Sequence, residues 1–194
     1  MNQFFACMAR MKLIRRWSLM RNTQPENDAE HSLQVAMIAH ALAVMGRERY
    51  GREVDPEHVV TLAVYHDATE VLTGDLPTPV KYHSADLRSA YREVESLAAS
   101  RLLRMLPEDM RAPFRPCLTE EGTYARDLVK AADRISAYVK CLEEKQAGNH
   151  EFDAAAERIL DAIGQIDLEE VRDFMRDFVP PFAVTLDELN RPED

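Results

Sequence analysis

LAVYHDATEVL, residues 62–72, sets His66 and Asp67 side by side inside an otherwise apolar run. A charged aspartate there is costly to bury unless a partner takes it up. Just upstream, Asp55 can serve as N-cap, Pro56 as first helical residue and Glu57 as first-turn acid, so the spacing predicts a helix from Asp55 to about Leu72. Val59, Leu62, Ala63 and His66 then share one face. Six glycines in 194 residues and no convincing strand alternation point to an all-α fold.

Outward from this segment the chain is punctuated by breaks. Before it, a helix is expected near 2–20, where Phe4, Cys7/Met8, Met11 and Ile14 follow helical spacing, then the break NTQPEN at 22–27. Asp28 is expected to cap the next helix, running to about Arg49, with Leu33, Met37 (or Ala36), His40/Ala41 and Val44 as its apolar stripe. After it, the loop TGDLPTPVKYHS (73–84) carries two prolines and is read as non-helical and functional. Helices are expected over about 84–105, a short proline-flanked piece at 107–116, a long helix near 123–146 closed by Gly148, and shorter ones near 152–164 and 167–178. Pro180-Pro181 and a polar tail end the chain. The length suits one domain, 1–194, with a core of about 28–146, residues 2–20 contributing to the site and C-terminal helices within 150–180.

A net charge of −10 makes a nucleic-acid polymer a poor partner. Residues 1–25 nevertheless carry Arg10, Lys12, Arg15, Arg16 and Arg21 and no acid, which suits either a small anion or a solvated basic helix face. Cys7, Cys117 and Cys141 lack metal spacing and read as reduced thiols in a cytoplasmic protein. No apolar run approaches a membrane span, so no membrane association is expected.

By itself an HD dipeptide is weak, since chance supplies about half of one in a chain of this composition. Two further stretches sharpen it. His31 opens the preceding helix in NDAEHSLQVA (27–36), and Asp133 lies in LVKAADRISAY (128–138), a carboxylate among small and apolar residues. His31, His66, Asp67 and Asp133 make a plausible shell for one divalent ion, and a mixed imidazole–carboxylate set does not choose sharply among Zn, Co, Ni, Fe, Mn and Mg. The plainer alternative has His31 bonded locally and the two aspartates paired with arginines. Glu70, four residues after His66, is expected on the same side of the same helix, where it can deprotonate a water the ion has acidified. It could equally be a surface glutamate. Arg16 can clamp a phosphate bidentately, and the only tryptophan, Trp17, offers a flat face beside it, though a lone Trp is often core.

The pattern H…HD…D resembles the HD-domain metal-dependent phosphohydrolase superfamily. RRWSLMRN (15–22), ENDAEHSLQVAMIAHALA (26–43), YHDATEVLTGDLPTPVKY (65–82) and KAADRISAYVKCLEE (130–144) together resemble the bacterial HD-domain 5′-deoxynucleotidases over nearly the full length. The resemblance implies a single helical HD-domain bundle, a homodimer and one divalent ion per subunit (Co, Mn, Zn or similar). It also implies hydrolysis of 2′-deoxyribonucleoside 5′-monophosphates, a reaction of nucleotide metabolism. By position, His31, His66, Asp67 and Asp133 match the metal ligands and Glu70 the catalytic carboxylate. Arg16, Trp17, Asp75, Leu76, Pro77 and Thr78 match substrate contacts, joined by Asp67 and Asp133. His83, where an aromatic is more typical, departs from the pattern. His40, His58 and His150 match no motif position. Within the superfamily, a nucleoside triphosphate or guanosine tetraphosphate hydrolase would need more basic residues near the motifs than Arg16 and Lys81. A non-catalytic nucleotide-binding HD module would be expected to have lost a ligand or Glu70.

Overall fold

The computed structural model describes residues 2–81 and 83–190, with the side chains of Thr78 and Pro79 excepted. Helices follow one another: α1 (Phe4–Met8), α2 (Asp28–Tyr50), α3 (Pro56–Val64), α4 (Glu70–Thr73), α5 (Thr78–Lys81), α6 (Ala85–Arg104), α7 (Glu108–Thr119), α8 (Tyr124–Gln146), α9 (Asp153–Gly164), α10 (Glu169–Asp177) and α11 (Leu186–Leu189). Short 3₁₀ turns lie at Met11–Leu13, His150–Phe152 and Pro180–Ala183. Among the described residues there is no strand, only an isolated antiparallel bridge between Arg15 and Asn27. The all-α expectation holds.

The core is the sandwich of α2, α3 and α8, closed by α9 and α10. Val35, Leu42, Val59, Leu62, Leu128, Ile135 and Val139 are fully enclosed there. Each such side chain contributes ~1.5–3 kcal/mol by leaving water. A second cluster joins Phe4 to Ala68, Leu102, Leu103 and Leu106, and a third packs Trp17 and Met20 against Cys141 and Phe152. The HD segment lies between the first two.

Several local expectations are corrected. No helix spans 2–20. Helical hydrogen bonding stops at Leu13, because the backbone of 14–16 pairs with 26–28 instead: Arg16 N donates to Glu26 O at 3.1 Å and Asp28 N to Ile14 O at 3.1 Å. Asn27, not Asp28, caps α2, its side chain accepting from Ala29 N and Glu30 N. Asp28 instead turns inward and is fully buried. The stripe read from Leu33 and Met37 faces outward (61% and 59% exposed), while Val35, Ile38, Ala39 and Leu42 face the core. Apolar residues run all round α2, so periodicity could not choose the face.

The HD segment also breaks the expected helix. Ala63 O accepts both the backbone N–H of His66 (3.3 Å) and its ring Nδ1–H (2.8 Å), and the ladder then tightens to three-residue spacing, Ala68 N to Tyr65 O and Glu70 N to Asp67 O. α3 therefore ends at Val64, and Glu70 starts a separate helix, α4. The proline-containing loop holds the short α5, and α7 runs through Pro113 and Pro116 to Thr119, a lost backbone donor at each being offset by burial of Cys117 and packing of Phe114 and Leu118. The N-cap expected at Asp55 is made, and the helices expected to begin near 84 and 123 prove to be capped by the side chains of Ser84 and Thr123. Where a polar tail was expected, Thr185 and Glu188 form a capping box at the start of α11.

Candidate active site

Three elements aim their side chains at one point. α2 supplies His31, the tight turn after α3 supplies His66 and Asp67, and the middle of α8 supplies Asp133. His31, His66 and Asp133 each bring a ligand-type atom to within 4.8 Å of the others. Asp67 Oδ2 joins them, 3.0 Å from His66 Nε2 and 3.7 Å from His31 Nε2. His31 Nε2 stands 3.0 Å from Asp133 Oδ1. The four sequence-predicted ligands are thus brought together.

Both imidazoles have a fixed orientation. His66 Nδ1 donates to Ala63 O at 2.8 Å. His31 Nδ1 lies 3.1 Å from Ser136 Oγ, whose own proton is directed to Gln34 Oε1 at 2.6 Å. With each Nδ1 carrying the hydrogen, the Nε2 lone pairs and the carboxylate oxygens converge, an arrangement of acceptors that calls for a cation. His66 Nε2 is buried and has no hydrogen-bond partner. This orphaned nitrogen, among imidazole and carboxylate donors, fits a divalent transition ion.

Arg16 comes to the same place from the segment after the Met11–Leu13 turn. Its NH1 is 3.1 Å from Asp67 Oδ2 and its NH2 3.9 Å from Asp133 Oδ1. The alternative in which the aspartates pair with an arginine is therefore realised in part, yet it leaves the His66 nitrogen unexplained. Burial works against the charge on Arg16, and Asp67, Asp133 and Glu26 overcome it, holding the guanidinium firmly protonated. Burial likewise raises Asp67 and Asp133, but His66 and Arg16 hold Asp67 well below the usual carboxylate range, and His31 brings Asp133 down to about 2.

On the other side stands a second group of acids that behaves oppositely. Burial first, then Asp67, Asp28 and Asp75, push Glu70 up to about 10. Burial and Asp67 push Asp28 up to about 7, and burial raises Asp75. Asp28 and Glu70 interact side chain to side chain, while both Asp28 oxygens and Glu70 Oε2 lack any partner with a hydrogen to give. Glu70 is thus an enclosed acid rather than a surface glutamate. Asp28, three residues before His31 and so on its face of α2, was missed because its position read as a cap.

The remaining predicted contacts are distributed around this centre. Trp17 is half-buried, its ring 5.3 Å from that of Phe152 and its Nε1 donating to Glu26 Oε2 at 3.0 Å. Asp75 is electrostatically coupled to Arg16 and Asp67, and Leu76 and Pro77 beside it are half-buried. Thr78 opens α5, with its side chain outside the described residues. Lys81 pairs with Glu95 at 2.7 Å and lies over the Tyr91 ring. His58 pairs with Glu120 and His150 with Asp153, and His40 and His83 are exposed.

Comparison with known proteins agrees with this geometry. A solved HD-domain phosphohydrolase from Listeria innocua superposes with a TM-score of 0.82 at 26% identity, over 95% of this chain and 90% of that one. The HD phosphohydrolase DatZ of cyanophage S-2L, solved with dA and one catalytic Zn²⁺ ion, shares the fold at TM-score 0.65 and 22% identity, over 93% of this chain and 96% of that one. A 5′-deoxynucleotidase of Photorhabdus laumondii is 47% identical over 98% of both chains, and one of Vibrio cholerae is 49% identical over 97% of this chain and 98% of that one. Residues 3–182 match the family model described as 5′-deoxynucleotidase YfbR-like. With His31, His66, Asp67 and Asp133 converging from three elements and relatives of this identity along almost its whole length, the chain belongs to the YfbR-like 5′-deoxynucleotidase family.

Proposed function

We propose that this chain hydrolyses the 5′-phosphate of 2′-deoxyribonucleoside 5′-monophosphates, using one divalent ion held by His31, His66, Asp67 and Asp133. The carrying observation is the convergence of the His31 and His66 Nε2 atoms with the Asp67 and Asp133 carboxylates directly beside Arg16. Such an ion supplies Lewis acidity toward the phosphate and lowers the pKa of water at the site. Co, Mn and Zn suit the mixed donor set.

Arg16 binds the phosphate through its terminal nitrogens, which now face the two aspartates, and so offsets charge on the reacting group. Glu70 takes the proton of the attacking water. Burial and its acidic neighbours make it a strong base, and a double positive charge beside Asp67 draws it back toward the ionised form. The water oxygen bonds to phosphorus, the phosphorus–O5′ bond breaks, the proton taken by Glu70 passes to O5′, and deoxynucleoside and inorganic phosphate leave. Trp17 supplies a face for sugar or base, and Asp75, Leu76, Pro77 and Thr78 border the sugar.

The same reading treats 1–194 as one domain, with 14–17 completing a site built on α2, α3 and α8. It places the enzyme in the cytoplasm as a homodimer. The outward Leu33 and Met37 on α2 support a second copy as their cover. Among the described residues no helix is long and apolar enough to cross a membrane.

Specificity constants for dAMP and AMP test the assignment, followed by dGMP, dUMP, dTMP and the matching triphosphates. A pocket that merely crowds an added hydroxyl rejects it by about 10²-fold. Equal constants for dAMP and AMP would leave a general 5′-nucleotidase. Preference for triphosphates would move the activity to a triphosphohydrolase.

A further inference from the structure

The segment NTQPEN at 22–27, a plain break in the sequence, carries a carboxylate on which the substrate side of the site is built. Glu26 Oε2 accepts Trp17 Nε1–H at 3.0 Å and lies 3.3 Å from Arg16 Nε, an ion pair without a hydrogen bond. Its other oxygen is 3.9 Å from His31 Nδ1, and the side chain is only 13% exposed. One glutamate therefore touches the arginine, the tryptophan and the rim of the ligand cluster.

Trp17 is also the sole described non-glycine residue with a left-handed backbone, at φ 55°. For a bulky aromatic this is strained, and it persists only when its surroundings overdetermine it. Met20 N and Asn22 Nδ2 donate to Trp17 O at 2.9 and 3.1 Å, Phe152 packs on the ring, and Glu26 takes the indole N–H. The loop that presents Glu26 is tied down from behind. The buried Glu144 on α8 accepts from Thr23 N, Thr23 Oγ, Gln24 N and Asn149 Nδ2, and it pairs with Lys140, whose Nζ also donates to Gln24 O. None of these contacts serves the ligand set itself.

We propose that Glu26 is the positioning residue for substrate capture: its carboxylate takes the Nε edge of Arg16 and the indole N–H of Trp17, leaving the NH1/NH2 fork of Arg16 for the phosphate. A guanidinium paired by charge along its Nε edge keeps its terminal nitrogens for a further anion. Without Glu26 the acids left around it are Asp67, Asp133 and, beyond ion-pair distance, Asp75, and it rotates fully onto the first two, blocking the phosphate position. This deepens the reading of Arg16 and Trp17 as substrate contacts and rests on it.

The test uses the full-length, metal-loaded protein with E26Q, E26D, R16A and the double variant R16A/E26Q. For E26Q, the expected result is unchanged metal content and circular dichroism and a KM for dAMP raised about tenfold, the scale of one lost charged hydrogen bond. kcat is expected to move less, and the emission of the single tryptophan to shift as its N–H partner loses charge. E26D keeps the charge and is expected to recover part of KM. In the R16A background, E26Q is expected to add little. Should E26Q not fold, E26D alone carries the test, because retracting the carboxylate by one methylene weakens both contacts and raises KM. A defective R16A beside a normal E26Q overturns the role of Glu26 and leaves Arg16 in place. Additive losses in the double variant, or an unmoved tryptophan spectrum, also overturn it. R16A with unchanged KM and kcat instead removes the reading on which the proposal stands.

Discussion

Ser136 Oγ stands 3.1 Å from His31 Nδ1, α2 and α8 meeting there in a fully buried contact. Because the serine proton goes to Gln34 Oε1, the imidazole must donate at Nδ1, which frees Nε2 to face Asp133 and Asp67. Ser136→Ala is therefore expected to weaken metal affinity by about 10- to 100-fold while the fold survives, as losing an outer partner of a ligating histidine does. Metal titration by calorimetry checks this, and an unchanged affinity would mean that packing alone orients His31.

Chelation is expected to abolish turnover, with Mn or Co restoring it at least as well as Mg because imidazole favours softer ions. His66→Ala and Asp67→Ala are expected to lose metal and turnover together. Metal analysis beside dAMP hydrolysis provides the check. Full activity in chelator-treated, metal-free protein would exclude the mechanism.

Glu70→Ala is expected to retain metal and bind dAMP while turnover drops by about 10²- to 10⁴-fold. Since Glu70 begins its own short helix rather than extending α3, its removal does not interrupt the turn carrying His66 and Asp67. Metal content falling in step with activity would make Glu70 a ligand or its support.

Asp28 ties stability to pH in the metal-free protein. Its carboxyl is raised to about 7, with burial the largest cause. Below about pH 4 it is neutral in both folded and unfolded chains, so it costs nothing. Between about 4 and 7 the unfolded chain releases the proton that the folded one keeps, so the fold loses stability as pH rises. Above 7 the fold bears the whole penalty, about 1.4 kcal/mol for each tenfold difference in proton affinity between the two states. Asp28→Asn is expected to raise Tm clearly at pH 8 and hardly at all at pH 4. Thermal melts at both pH values decide the matter, and an equal gain at each would assign the effect to packing.

Much of this protein was legible in the linear chain. The Asp55-Pro56-Glu57 start, the helix starts near 84 and 123 and the Gly148 stop act through neighbouring backbone, so short-range chemistry was enough to place them. The convergence of His31, the His66-Asp67 pair and Asp133 was legible too, because these are polar groups in apolar runs, which burial tolerates only with a partner. Tertiary structure decided what depends on distant contacts. Residues 14–16 became extended because they pair with 26–28, Ala63 O ended α3 by accepting the His66 ring, and the all-round apolar α2 turned Leu33 and Met37 outward once α3 and α8 had covered its other face. Glu26 and Asp28 gained their places in the same way. Their surroundings are assembled from segments far apart in sequence, and no local pattern records which acid will be enclosed when those segments close together.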